Sequence, residues 1–136
     1  MVQARVIKSH NSLRSGFNFS GTAISAFRVL NTDATPSVSG TVDAVEATAT
    51  TNGKVIGVST EAMPDADGVG RTIQVADRAK IEAEAAIAVG ALVMPGTAGK
   101  VVTRTGTNTI IGEAKTAASG DGDIIEVELN LPAQGV

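Results

Sequence analysis

The residues of this chain that come nearest to chemistry are one histidine and a few short Asp/Gly and Gly/Lys loops. His10 would need a serine and a carboxylate to form a nucleophilic relay. No Gly-x-Ser-x-Gly elbow is present to supply the serine. His10 therefore reads as solvated or facing a partner. Asp65-Ala66-Asp67-Gly68 and Asp121-Gly122-Asp123 carry oxygens that calcium accepts. Neither has the alternating ligands, central glycine and distant glutamate of a calcium loop. Asp and Gly are also the ordinary residues of tight turns. Gly96-Thr97-Ala98-Gly99-Lys100 is shorter than a phosphate-binding loop, and Val101 stands where a serine or threonine would bind magnesium. Gly68-x-Gly70 lacks the third glycine of a dinucleotide site. The expectation is a non-enzyme with no catalytic residue, no cofactor and no metal.

What must be positioned is a surface rather than a reaction centre. The chain has 136 residues, a length that suits one domain. Of these, 43% are apolar, mostly Ala, Val and Ile, with three Phe and neither Trp nor Tyr. Small β-branched side chains suit tightly spaced sheets but bury little area each. A modest core helped by oligomerisation or a partner is expected. Cysteine is absent, which excludes disulfides, thiolate catalysis and Cys-based zinc sites. No apolar run has the length of a signal peptide or a membrane span, so no membrane partner is expected. Charge is uneven. Residues 1–30 carry Arg5, Lys8, Arg14 and Arg28 without an acid, and residues 31–136 sum to −7. The acidic body should repel nucleic acid, and it lacks the aromatic platforms that stack bases. The basic head suits an acidic protein surface.

The elements around these loops read as short strands. Lys54-Val55-Ile56-Gly57-Val58-Ser59-Thr60-Glu61-Ala62 is followed by a Gly/Asp loop and Ile73-Gln74-Val75. Thr109-Ile110-Ile111-Gly112-Glu113-Ala114-Lys115-Thr116-Ala117 is followed by Gly120-Asp121-Gly122-Asp123 and Ile125-Glu126-Val127. Ala23 to Leu30 aligns in the same way with Ala86 to Val93. The chain is thus read as two related units. Strands are expected at 23–30, 38–48, 54–59, 71–76, 100–103, 109–117 and 123–130. Over 79–91, alternation favours two short strands, although Ala, Glu and Lys would also suit a helix. The result is all-β: a compact antiparallel barrel or sandwich with an internal pseudo-repeat. Gly57 and Gly112 fall inside strands, where glycine marks a bulge or the close approach of another backbone.

Residues 1–22 are read as an extended N-terminal arm, rich in Ser, Asn and Gly, with an ordinary first strand and loop as the other reading. Residues 23–131 form the body and 132–136 a flexible tail. Arg5, Lys8 and Arg14 could pair with acids of a partner. Phe17 and Phe19, on one side of an extended chain, could anchor in its pockets.

Ala86-Ile87-Ala88-Val89-Gly90-Ala91-Leu92-Val93, Ala98-Gly99-Lys100-Val101, Ile111-Gly112-Glu113-Ala114 and Gly120-Asp121-Gly122-Asp123 with Ile125-x-Val127-x-Leu129 occur in that order. In this order they resemble the capsid decoration, or cement, proteins of tailed bacteriophages. Gly53-Lys54-Val55-Ile56-Gly57-Val58 matches more weakly. The resemblance implies a structural virion protein on the outer surface of an icosahedral capsid, made in the host cytoplasm. It would clamp neighbouring subunits of the major capsid protein and stabilise the expanded shell. It also implies a homo-oligomer, with a trimer favoured and a dimer possible. The arm, with Arg5, Lys8, Arg14, Phe17 and Phe19, would bind the capsid. The alternative is another virion or surface module: a fibre, a tail protein or a glycan-binding adhesin domain.

Overall fold

The computed structural model describes residues 12–18, 20–32, 44–46, 55–65 and 69–131. Among these, ten strands run in chain order: β1 (Leu13–Gly16), β2 (Val29–Thr32), β3 (Ala44–Glu46), β4 (Val55–Ser59) and β5 (Arg71–Gln74), then β6 (Arg78–Glu82), β7 (Leu92–Pro95), β8 (Val101–Thr103), β9 (Gly112–Ala114) and β10 (Ile124–Leu129). They form two five-stranded sheets, ordered β1-β5-β4-β2-β3 and β6-β10-β9-β7-β8. Every ladder within them is antiparallel. The protein is all-β, as its alternation and turn spacing predict. Over 79–91 the backbone forms β6 and then isolated bridges at Ala83 and Ile87, not a helix.

The second sheet repeats the strand order of the first, each strand replaced by the one five later. The pseudo-repeat is therefore a duplication of topology. Backbone bonds repeat as well. Ile24 and Met63 exchange N–H···O bonds of 3.0 and 2.8 Å, and Ile87 and Ala118 exchange bonds of 2.9 and 2.9 Å. Phe27 N–H donates to Ser59 O at 2.8 Å, as Gly90 N–H does to Ala114 O at 2.8 Å. Ser59 N–H donates to Arg28 O at 2.9 Å, as Ala114 N–H does to Ala91 O at 2.8 Å. These pairs equate Phe27 with Gly90, Arg28 with Ala91 and Val29 with Leu92.

One alignment read from sequence needs correction. Ser59 lies opposite Ile73, and Ala114 lies opposite Val127. Ile73 thus corresponds to Val127, not to Ile125. The shift is two residues, one full pleat, so each side chain keeps its face and the pattern alone could not detect it.

The chain joins the first sheet earlier than expected. Leu13 pairs with Gln74 and Gly16 with Arg71, so β1 is an edge strand where composition predicts an extended arm to residue 22. Val75 N–H continues this pairing to Ser12 O at 2.7 Å. The strand expected at 23–30 is narrower. It begins at Val29, because the chain first turns at Phe27 with a φ of 65°. Of the strand expected at 38–48, Ala44–Glu46 is present as β3; the remainder lies outside the described residues.

Two clusters fill the interior. Ile24, Leu30, Met63 and Ile73 form the core of the first unit. A larger cluster joins Ala79, Ile81, Ile87, Val93, Ile111, Ile125 and Val127 of the second unit to Val29, Val55 and Val58 of the first. The first sheet therefore buries apolar residues on both faces: Leu30 inward and Val29 against the second unit. Val55 and Val58 are three residues apart, yet both reach that cluster. A register shift between Leu30 and Asn31 accommodates the mismatch. Burial of each such valine contributes about 1.5–3 kcal/mol.

Candidate functional site

The sequence points to contact surfaces, and of the residues assigned to the arm Arg14 and Phe17 are among those described. Arg5, Lys8 and Phe19, with His10, lie outside the described residues. Arg14 is exposed on β1, and its Nη1 donates to Leu13 O at 3.1 Å. Phe17 is half-buried, and a Cβ at Gly70 would lie 3.6 Å from its ring Cζ. Next to it, Asn18 is buried. Its Nδ2 donates to Thr22 O at 2.8 Å and to Met63 O at 2.7 Å, while its Oδ1 accepts from Ser20 N–H at 3.0 Å. Gly21 N–H donates to Asp65 Oδ1 at 2.8 Å. Asn and Ser form such local turns readily, so their abundance here marks a folded corner.

Gly57 and Gly112 occupy equivalent places, opposite Leu30 and Val93. A Cβ at Gly57 would overlap Ile73 Cγ2 and lie 2.6 Å from Gln74 O. One at Gly112 would overlap Glu128 O and lie 2.7 Å from Val127 Cγ1. Both glycines let the last strand of their unit cross close to β4 or β9.

Among the described residues, the junction between units carries an ionic network. Arg28 Nη2 meets Glu82 Oε1 at 3.1 Å, with side-chain exposures of only 14% and 19%. Arg28 Nη1 donates to Ala98 O at 2.9 Å. Lys100 Nζ meets Glu82 Oε2 at 3.2 Å and Asp121 Oδ1 at 2.9 Å. Hydrogen bonds to Asp121 and then to Glu82 raise the Lys100 ammonium above its ordinary value. Glu82 N–H donates to Phe27 O at 3.0 Å. Gly99, at a φ of 76°, lies against Val29: a Cβ there would be 2.8 Å from its carbonyl oxygen. Nothing local in the sequence marks Arg28, Glu82 and Lys100 as a group. They are distant in the chain: Glu82 and Lys100 meet within the second unit, and Arg28 joins them when the first unit is laid on it.

The Asp/Gly loops have structural work. Asp121 holds Lys100. Asp123 Oδ2 accepts from both the N–H and the Oγ of Ser119 at 2.7 Å. These bonds hold its carboxyl below the usual range. Among the described residues, no group of three His, Cys, Asp or Glu is placed to hold a metal. No described helix is long and apolar enough to cross a membrane.

Depressions lie on the surface of the described residues, and three of them are notable. One, about 370 Å³, is lined by Arg14, Ser15, Val55, Ile56, Ile73, Val75 and Leu131. A second, about 270 Å³, lies between Val58, Thr60 and Gln74 of the first unit and Arg78 to Lys80 of the second. The third, about 230 Å³, has Leu92, Ile110, Glu113, Lys115 and Glu128 in its wall.

The geometry of two stacked, duplicated sheets has a solved counterpart. The chain is similar to the N base of the head fibre protein gp8.5 of bacteriophage phi29, with a TM-score of 0.70 over 87% of this chain and 92% of that one. Sequence identity is 16%, so the likeness is one of fold. No protein-family model matches the chain, and no curated protein matches it in sequence.

Proposed function

We propose that this chain is a structural protein of a tailed-phage particle, without enzymatic activity, that sits on the outside of the head. The observation that carries this reading is the fold likeness to a phage head-fibre base, which extends over 87% of the chain. The order of the Ala-Gly-Lys-Val, Ile-Gly-x-Ala and Gly-Asp segments supports it independently. The charge division supports it too: a basic head on an acidic body suits docking to an acidic protein lattice and not to nucleic acid. In the finer reading the chain cements neighbouring major capsid subunits. Arg5, Lys8, Arg14, Phe17 and Phe19 contribute to the grip, and many weak copies on one lattice gain avidity. A second reading has a specific observation in its favour. The similar structure is the base of a fibre, so this chain would then be a mount from which a fibre projects.

Purified protein mixed with expanded, DNA-free heads of its own phage should co-sediment with them. Failure to bind would sink both readings. Heat release of DNA separates them. Filled heads stripped of the protein should lose DNA at a lower temperature if it cements, and at an unchanged temperature if it only mounts a fibre. Replacing Arg5, Lys8 and Arg14 with glutamate should weaken binding; unchanged binding would take the basic head out of the mechanism.

A further inference from the structure

The depression of about 270 Å³ between the units brings together an aromatic ring, two cations and two neutral polar side chains. Phe27, Thr60 and Gln74 come from the first unit, and Arg78 and Lys80 from β6 of the second. We propose that this cleft docks an acidic segment of the shell protein, with a carboxylate held by Lys80 and Arg78 and a neighbouring apolar side chain laid on Phe27. The proposal rests on the reading of this chain as a head-surface protein. It moves part of the grip from the basic head to the body.

The backbone at Phe27 is the first observation. Its φ of 65° lies in the left-handed region, an outlier for a bulky residue. The second unit places Gly90 at the same position, with a φ of 87°. A Cβ at Gly90 would meet nothing within 4 Å, so conformation, not space, suits that position to glycine. The junction bonds of Phe27 run from its N–H to Ser59 O and to its O from Glu82 N–H. Both belong to the backbone, so neither requires the ring. A strained residue that persists points to a use for its side chain. The residue is half-buried and lines the cleft.

Charge selects the occupant. Lys80 stands opposite Glu126 on β10, but Glu126 Oε1 lies 3.8 Å from Arg78 Nη1. Lys80 has no ion-pair partner among the described residues, and its ammonium offers three donors. Gln74 Nε2 donates to Ala76 O at 2.9 Å and to Arg78 O at 2.8 Å, and Thr60 Oγ1 donates to Thr72 O at 3.1 Å. The cations are therefore the donors left for a carboxylate. Leu13, opposite Gln74 and on the same face of the sheet, is 50% exposed and extends the apolar side. Cations beside apolar surface suit an acidic peptide and repel a basic one. Residues 31–136 sum to −7, so these two cations fix where on the body an acidic partner can approach. Small-molecule sites span about 300–1,000 Å³, and a space below that range suits the side chains of a protein partner.

Binding to expanded, DNA-free heads of its own phage measures this. Lys80→Glu should weaken it at least about tenfold, and Lys80→Gln less, with a flatter dependence on salt. Lys115→Glu makes the same charge change at the third depression and should leave binding nearly unchanged. Phe27→Asn should weaken binding while the urea midpoint stays close to wild type, because asparagine tolerates the left-handed region. Carbodiimide coupling of the bound particle should join Lys80 to an aspartate or glutamate of the shell protein, read by mass spectrometry. If the wild-type chain does not bind heads, the head-surface reading fails and this one falls with it. If it binds and Lys80→Glu or Phe27→Asn binds equally well, the cleft alone is overturned. The same follows if Lys115→Glu weakens binding as much as Lys80→Glu, or if Lys80 is missing from the coupled peptides. A midpoint of Phe27→Asn lowered as by a core truncation also overturns it, since the ring would then serve the junction itself.

Discussion

The two units share a strand order but differ in what covers them, and the residue types follow the covering. Val29 and Val58 are buried because the second unit lies on them. Their counterparts, Leu92 and Glu113, face outward, and one of them is a carboxylate. Ser59 is buried with its Oγ donating to Ser25 O at 2.9 Å and accepting from Arg28 N–H at 3.0 Å. At the equivalent place Ala114 needs no such bonds. Phe27 holds a φ of 65° where the second unit uses Gly90 at 87°. What stays constant is Gly57 and Gly112, where a crossing strand leaves no room for a side chain. A duplicated fold thus keeps the residues its own backbone demands and changes those that answer to a neighbour.

The largest test of this contrast exchanges the two faces. Val58→Glu places an unpaired carboxylate at a buried junction and should cost about 4 kcal/mol. Glu113→Val, the reciprocal change on the open face, should alter stability by less than about 0.5 kcal/mol. Urea unfolding of both variants measures this, and equal effects would break the comparison. Next come the elements that both units retain. Gly112→Val and Gly57→Val should each cost about 3 kcal/mol, since the added atoms meet the backbone of β10 or the strand and side chains of β5. Gly120→Ala, with nothing within 4 Å of the added carbon, should be close to neutral. A tolerated valine at either strand position would show that the crossing is not tight.

Smaller effects report on the junction and the turns. Glu82→Gln weakens two part-buried ion pairs and should cost about 2 kcal/mol, without changing the strand content seen by circular dichroism. An unchanged unfolding midpoint would mean that apolar contact alone holds the units together. The smallest effect is that of acid. The folded Asp123 carboxyl lies below its ordinary value of 3.8 because Ser119 donates to it. Its contribution is therefore present above about that value and is lost as pH falls through the folded value. Asp123→Asn should flatten this part of the acid-unfolding profile, and an unaltered profile would contradict the assignment.

Much of this is legible in the residues. Alternation, the paired Ile-Gly segments and the turn residues mark an all-β duplication, because strand periodicity and turn chemistry are local. Gly57 and Gly112 stand out because glycine inside a strand needs a reason. The segment after Ser12 is less legible. Its polar residues suit an arm, but the buried Asn18 makes a folded corner of them by bonding to Met63, a partner no spacing rule predicts. Arg28, Glu82 and Lys100 are invisible for the same reason.

By itself the sequence determined most of the strands, their duplication, the charge division and the glycines, since each depends on neighbours along the chain or on a pattern that repeats. Only the tertiary structure decided which copy of each face is covered. Val58 and Glu113 occupy the same position in the same topology; what separates them is whether a second sheet removes that position from water. Burial belongs to the packing of units, and no stretch of residues read alone contains it.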